Sequence, residues 1–316
     1  MTKQTDTEAP FFTVITPTYN RAAMMARVMG SVLAQDYASW EVIVADDCST
    51  DDTEAVLRAF NDPRIRYVRH AKNRGPCAAR NTAAAVARGR WLLMLDSDFE
   101  LLPGAMRTLA KRCEEAPAIV GNMASVMSWD NGPPTPTPLP ERELYMKYPE
   151  FLKWASTLTV TEYFNCVRRE VFDVVRYPEG RAYESEFTLN LVKRFDFMLL
   201  VDRACLAHTD ARDRLTRGPA LLRMGRLLRD APDWSESVTG ILRDHGEAMR
   251  AASPEYFDRY LVYLSNLRLL KGDRRGALEA LGSARAAAVM KPRTLLLAGL
   301  GLLDRRVLAL AQGLRS

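Results

Sequence analysis

Between residues 11 and 95 the chain repeats one rhythm: a short apolar run, a polar loop, and then a stretch with helical spacing. The four apolar runs are "FFTVIT", "EVIVA", "IRYV" and "WLLML", and the helical stretches between them lie near 22–35, 52–60 and 76–88. In the last run Leu92, Leu93, Met94 and Leu95 are continuous instead of alternating, as in a strand covered on both faces. Strands of this kind alternating with helices predict an α/β fold with a mostly parallel sheet and right-handed crossovers. In such sheets ligands bind beyond the carboxyl ends of the strands.

Further along, Pro103 suits the first turn of a helix over 103–115, and "AIVGNMASVM" reads as another strand. The proline-rich "NGPPTPTPLP" predicts an irregular extended loop, a lid or a linker, because prolines at that spacing forbid helix and ladder alike. A helix over 184–195 and a strand at "FMLLV" follow. From about residue 219 the pattern turns wholly helical. "YLVYLSNLRLLKGDRRGALEALGSARAAAVMKP" reads as a helix, a tight turn at Gly272-Asp273, and a second helix ended by Pro292. One such pair is like a single tetratricopeptide unit, but no period repeats, so the tail reads as a helical cap. The expected organisation is a disordered segment over 1–10, an α/β domain over 11–218 and a helical region over 219–316.

The bulk numbers narrow this picture only a little. Of 316 residues, 47% are apolar and 26% charged, as in an ordinary globular protein. The net charge of +5 suits an anionic ligand or a negatively charged membrane, but no dense Lys/Arg run points to nucleic acid. Five cysteines without a CxxC pair read as free thiols in a reducing compartment. "MTKQTDTEAP" has no apolar core of a signal peptide, and "TLLLAGLGLL" at 294–303 is too short to span a bilayer. The expectation is a soluble cytoplasmic protein. Its tail is left three roles: packing on the α/β domain, homodimerisation, or peripheral contact with the inner face of a membrane.

The chemistry gathers at the strand ends. The first strand ends in "TPTYNR", where Pro17 fixes the chain direction and Tyr19 offers a flat ring for stacking on a base. The second ends in "ADDCSTDDT". Ser49 or Asp51 can cap the next helix, which accounts for one acid but not for the adjacent pair Asp46 and Asp47. The third ends in "HAKNRGPCAARN". There Gly75 allows close backbone approach, and Arg80 lies one turn into a helix whose N-terminus suits a phosphate. The fourth ends in "DSDFE", two carboxylates that repel each other unless something positive lies between them. An aromatic ring with an acid suits a nucleobase, an arginine suits a diphosphate, and a spaced aspartate pair suits a ribose and a divalent metal. Hard oxygen ligands select Mg²⁺ or Mn²⁺ over Zn²⁺.

Taken together, "FFTVITPTYNR", "EVIVADDCSTDDT", "NRGPCAARNTA" and "LLMLDSDFELLP" resemble the motif series of family 2 glycosyltransferases with the GT-A fold. The likeness is close over residues 11–105 and looser to about 215. It implies an inverting transferase using a nucleotide-diphosphate sugar, with Mn²⁺ or Mg²⁺. By position, Pro17 and Tyr19 would contact the base and Asp47 would accept its ring N–H. Arg21 and Arg80 would lie near the diphosphate, as part of a donor site that also takes in Asn73, Gly75 and Ser97. Asp96 would meet ribose and Asp98 the metal. In "RAYESEFTLNLVKR", Glu186 falls where the family's catalytic base stands, although the usual acidic pair reads Ser185-Glu186 here and leaves Glu184 as the substitute. His208 matches the family's late metal-site histidine, and Glu100 receives no role.

The implied reaction is a single displacement at the anomeric carbon, with a carboxylate taking the proton of the acceptor hydroxyl. The donor base leans to uracil. The acceptor is a carbohydrate, a lipid-linked sugar or a small molecule, in the synthesis of a glycan, glycolipid or natural-product glycoside. Its contacts are expected within 122–183, where Trp129, Trp154 and Tyr163 can stack on a sugar or lie in the core. A haloacid-dehalogenase phosphatase is disfavoured by Glu100 two residues after the second aspartate and by the late position of the pair. A sugar-nucleotide pyrophosphorylase is disfavoured by the absence of glycine from "TPTYNRAAM". The rival left standing is an inactive sugar-nucleotide-binding or scaffold protein of the same fold.

Overall fold

The computed structural model describes residues 9–179, 184–210 and 220–308. The chain forms two compact units. The first comprises the residues up to 148 together with 158–177 and 190–209, and the second comprises 149–157, 178–189 and the residues from 210 onward. The helical unit is therefore wider than the tail over 219–316, because two short segments from the middle of the chain belong with it.

In the first unit the expected alternation is present as β1 (Phe12–Thr18), α1 (Ala22–Leu33), β2 (Trp40–Asp46), α2 (Thr53–Ala59), β3 (Ile65–Arg69), α3 (Pro76–Val86) and β4 (Trp91–Met94). Every residue of β1, β2 and β4 is buried, including the threonines of β1 and Glu41 and Asp46 of β2. The four strands lie parallel in the order β3-β2-β1-β4. The chain thus moves outward from β1 through β2 and β3, then crosses back to place β4 on the other side of β1. That reversal is a topological switch point, where the loops leaving β1 and β4 part and open a crevice.

Beyond β4 the sheet becomes mixed. It continues through β5 (Phe99–Leu101), α4 (Ala105–Glu115), β6 (Val120–Trp129), β7 (Gly132–Thr135), β8 (Leu144–Met146), α5 (Tyr148–Thr157), β9 (Phe164–Arg168), α6 (Val171–Val174), α7 (Ser185–Val192) and β10 (Asp196–Ala207). Strand β9 inserts antiparallel between β4 and β6, while β10 runs parallel to β6 and antiparallel to β5. One expectation is corrected here: part of the proline-rich segment does join a ladder. β7 pairs with β6 through Gly132 and Thr135, with a register shift between the pairs. The paired residues keep their N–H groups, and Pro133 and Pro134 fall between them, at the irregularity that tolerates proline.

Strand β2, one strand in from the edge at β3, carries a buried charge. Glu41 on β2 is 1% exposed. Its carboxylate accepts from the Thr13 hydroxyl at 2.9 Å, the Arg88 amide at 2.8 Å and the Arg88 guanidinium at 2.9 Å. Burial raises its pKa, but the hydrogen bonds from Arg88 and Thr13 outweigh that and hold the carboxyl below the usual carboxylate range. A folded pKa below the unfolded one stabilises the protein above the unfolded value, roughly pH 4.3, and the contribution fades as pH falls through the folded value. Glu41→Gln is therefore expected to lower stability at neutral pH by about 1.5–3 kcal/mol, the scale of hydrogen bonds to a charged group. Urea unfolding at pH 7 and below pH 4 checks it, since the gap should narrow at acid pH.

The second unit contains α8 (Ala220–Ala252), α9 (Pro254–Lys271), α10 (Arg274–Ser283), α11 (Ala286–Val289) and α12 (Pro292–Leu303). Ser253 caps α9 by accepting from the Tyr256 amide, and Asp273 caps α10 by accepting from the Gly276 amide. Gly272 ends α9 with φ +93°, a conformation that favours glycine, so the turn falls where the sequence places it. Pro292 is a second correction. It begins α12 at the first helical position instead of ending the second helix of the pair, α10, which has already stopped at Ser283. No described helix is long and apolar enough to cross a membrane.

Candidate functional site

At the switch point the two adjacent aspartates after β2 have separate tasks. Asp46 is fully buried, accepting from the Ser49 amide at 3.0 Å, the Ser49 hydroxyl and the Tyr67 hydroxyl. Burial, and then the Asp46 carboxylate, push the Tyr67 phenol far above its usual range. Asp47 is 3% exposed and turns the other way. Its Oδ1 accepts from the Arg74 amide and its Oδ2 from the Gly75 amide, both at 2.7 Å, and His70 Nδ1 lies 2.8 Å from Oδ1. Gly75 has φ +90° and directly precedes Pro76, the first residue of α3. The carboxylate of Asp47 therefore pins the loop that leads into α3, and His70 braces it from behind through Thr82 at 2.9 Å.

The end of β1 is fixed to the same loops. The Asp47 amide donates to the Thr18 carbonyl, the Asn20 amide donates to Ser49 Oγ, and Asn20 Oδ1 accepts from the Thr50 amide. Pro17 is paired in the β1–β2 ladder, while Tyr19 just beyond the strand is 43% exposed. Arg21 caps the start of α1 through its carbonyl, which accepts from Met24 and Met25. Asn73 is exposed on the loop before Gly75.

The spaced pair after β4 is also divided. Asp96 Oδ1 receives Arg80 Nη2 at 2.6 Å, and that nearly buried guanidinium lies 5.5 Å over the ring of Tyr177. The arginine and aspartate read separately from sequence are thus one ion pair. Ser97 and Asp98 are half-buried, and the backbone carbonyl of Asp98 accepts from the His208 amide at 2.9 Å. Register explains the neighbour: Ala207 on β10 opposes Phe99 on β5 in an antiparallel ladder, so the next residue reaches Asp98. The same Ala207 pairs with Trp129 on parallel β6, which brings Asp130 alongside. His208 Nε2 lies 2.8 Å from Glu100 Oε2, and Nδ1 lies 3.5 Å from Asp130 Oδ2. Behind them burial, with Asp96 and Asp98 adding, pushes the Cys205 thiol well above its ordinary range, so it stays protonated.

Sequence reasoning gave Glu100 no role and did not single out His70 or Asp130, which the structure sets against Asp47 and His208. Asp130 follows β6 as the other acids follow their strands, and the rule applied at Asp46 and Asp96 would have found it. Glu100 stands two residues after Asp98, on the same side of an extended chain. His70 had no signal beyond its place after β3.

Glu186 lies in the helical unit, on the first turn of α7. Its carboxylate accepts from the Ser237 hydroxyl of α8. It borders a cavity of about 700 Å³ in that unit, together with Asp233, Ser237, Thr239 and Lys271. The residues expected at the donor site and at the metal thus all belong to the first unit, and Glu186 belongs to the second.

Residues 13–176, just over half of the chain, match the family model for glycosyl transferase family 2, and the chain belongs to that family. The succinoglycan biosynthesis protein ExoO of Rhizobium meliloti (strain 1021) is 41% identical over 111 residues, 35% of this chain and 32% of that one. A GalNAc(5)-diNAcBac-PP-undecaprenol beta-1,3-glucosyltransferase of Campylobacter jejuni is 37% identical over 117 residues, 36% of this chain and 38% of its own. The matched stretch is about a third of the length of these curated relatives. The structure of S. aureus TarS 1-349 in complex with UDP-GlcNAc aligns with a TM-score of 0.57 over 85% of this chain and 89% of that one, at 20% identity. That likeness concerns the fold, the GT-A arrangement expected from the motif series.

Proposed function

We propose that this protein transfers a sugar, with inversion, from a nucleotide-diphosphate donor to a hydroxyl or amine of a carbohydrate, lipid-linked or small-molecule acceptor. UDP-sugars are the favoured donors. The observation that carries the reading is the convergence at the β1/β4 switch point of three things: a glycine loop pinned by Asp47, an arginine held by Asp96, and Asp98 beside His208. Two relatives, one named for succinoglycan biosynthesis and one as a glucosyltransferase for an undecaprenol-linked sugar, support a glycan or glycolipid product. Residues 11–218 would hold the transferase and 219–316 an accessory helical region.

In this reading Tyr19 stacks on the base, and Arg80, Arg21 and the start of α3 face the diphosphate. Glu186 removes the proton from the acceptor hydroxyl as its oxygen bonds to the anomeric carbon and the bond to the diphosphate breaks. Asp98, Glu100, Asp130 and His208 offer carboxylate oxygens and one imidazole, a donor set that suits Mg²⁺ or Mn²⁺. Among the described residues, however, no three such side chains are disposed to hold an ion, and His208 is engaged by two of the acids. We assign Asp98 and His208 as the pair that would hold the metal. When bound, it would offset charge on the departing diphosphate.

Thermal unfolding with UDP, dTDP and GDP tests the site. UDP is expected to raise the melting temperature modestly alone and clearly more with Mn²⁺, since ligand at 100 times its Kd adds about 2.7 kcal/mol. Asp98→Ala should keep the ligand-free melting temperature and lose the metal-dependent increment. An intact increment in that variant would remove Asp98 from the site. Donor hydrolysis without acceptor separates an enzyme from an inactive binding protein, and failure of both binding and hydrolysis would sink the reading.

A further inference from the structure

Apart from Arg293 and Thr294 in its first turn, helix α12 is built of apolar residues. Its inner face buries Leu297 and Ala298. Gly301 on that face is packed so closely that an added Cβ would meet Leu269 and Leu308 at 2.7 Å. Its outer face presents Pro292, Leu295, Leu296, Gly299 and Leu303, all exposed. Their spacing of i, i+3, i+4, i+7 and i+11 makes one stripe along the helix. Leu303 is 79% exposed, Leu296 51% and Leu295 45%. Met290, before the helix, and Val307, after it, add to the exposed apolar surface. A polar outer face is what a solvated surface helix needs, and an apolar one at this spacing calls for a cover.

Charge identifies the cover. Lys291 precedes the helix, and Arg305 and Arg306 follow it, all three exposed. Between residues 271 and 308 eight Lys/Arg stand against three Asp/Glu, an excess as large as the net +5 of the whole chain. A second copy of this face is a poor match. In either direction of packing, basic helix ends would meet basic ends, with Asp304 the one acid beside them. An anionic bilayer matches both features, because leucines enter the acyl boundary while lysine and arginine reach the headgroups. Twelve residues are too few to span.

We propose that α12 is an interfacial helix that docks this protein on the surface of a negatively charged membrane, lying in its plane with Leu295, Leu296 and Leu303 inserted. The inference does not depend on the sugar-transfer reading. It gives the helical region a task that the α/β unit does not need for chemistry, and it would bring the enzyme to lipid-linked substrates.

Flotation of the full chain with phosphatidylcholine vesicles, with and without phosphatidylglycerol, tests it. The protein should float with the anionic vesicles, weakly or not at all with the neutral ones, and less at high salt. Leu295→Ser/Leu296→Ser/Leu303→Ser should lower partitioning at least tenfold with an unchanged melting temperature, because these side chains are already exposed. Arg305→Gln/Arg306→Gln, which leaves the apolar face intact, should lower it about 30-fold, at roughly fivefold per charge. Absence of flotation with anionic vesicles would overturn the proposal. So would undiminished flotation of the leucine variant, which would reduce the contact to charge alone. A dimer in light scattering that the leucine substitutions dissolve, without vesicle binding, would assign the face to self-association instead.

Discussion

Glu186→Gln is expected to lower sugar-transfer turnover by about 10²- to 10⁴-fold, the usual worth of general-base assistance. The amide keeps the shape of the side chain and can still accept from the Ser237 hydroxyl, so α7 and α8 should keep their packing. What it cannot do is take a proton. Donor affinity should be unchanged, because Asp47, Gly75, Arg80 and Asp96 belong to the strand ends of the first unit. Ser237→Ala removes the hydroxyl that orients the carboxylate. It should reduce kcat by a smaller factor at unchanged donor KM. Glu184→Gln in parallel should do much less than Glu186→Gln, and the reverse ranking would move the base two residues upstream. A fall in donor affinity in Glu186→Gln would recast the residue as a ligand of the donor sugar. The anomer of the product is an independent check, since one displacement with one base inverts the centre and a retained configuration would refute the mechanism.

The parts of this fold legible in sequence are those governed by local pattern. β1, β2 and β4 are buried on both faces, so apolar residues predominate in them, and the polar residues at their carboxyl ends mark the edge where a ligand is expected. The less legible parts depend on pairing between distant segments. β9 is five residues long and gains its place from β4 and β6, some forty to seventy residues away, so nothing local announces it. β5 and β8 have three residues each, too few for a period to show. The same division runs through the site. Sequence placed Asp46, Asp47, Asp96 and Asp98 at strand ends, yet which acid answers to which partner is a matter of register and loop course. Asp46 turned inward to Tyr67, and Asp96 met Arg80 across the gap between β4 and α3. Glu100 received no role because Phe99 stands where a third acid would follow the aspartate pair, and its contact with His208, just after β10, comes from more than a hundred residues away.

Asp47→Ala is expected to be the most damaging single change in the first unit, and it separates two roles for one carboxylate. In the structure that carboxylate accepts from the amides of Arg74 and Gly75, with His70 beside it. The Gly75 amide is buried, so truncation leaves it without an acceptor, while the Arg74 amide lies at the exposed end of the loop and can rehydrate. An orphaned buried group costs about 1–3 kcal/mol. With a second lost contact at His70, a loss of roughly 2–5 kcal/mol is expected in urea unfolding of the ligand-free protein. Affinity for nucleotide should also fall, because Gly75 and the start of α3 would no longer be held in place. The size of that fall across bases tells the roles apart. Uracil offers a ring N–H and adenine does not, so UDP can lose a direct contact that ADP never had. If the carboxylate works only by pinning the loop, Asp47→Ala should weaken UDP and ADP by the same factor. If it also meets the base, as the family resemblance implies, UDP should lose more and the preference for it should shrink. An equal loss for both would leave Asp47 as the clasp of the glycine loop and pass base recognition to the exposed ring of Tyr19.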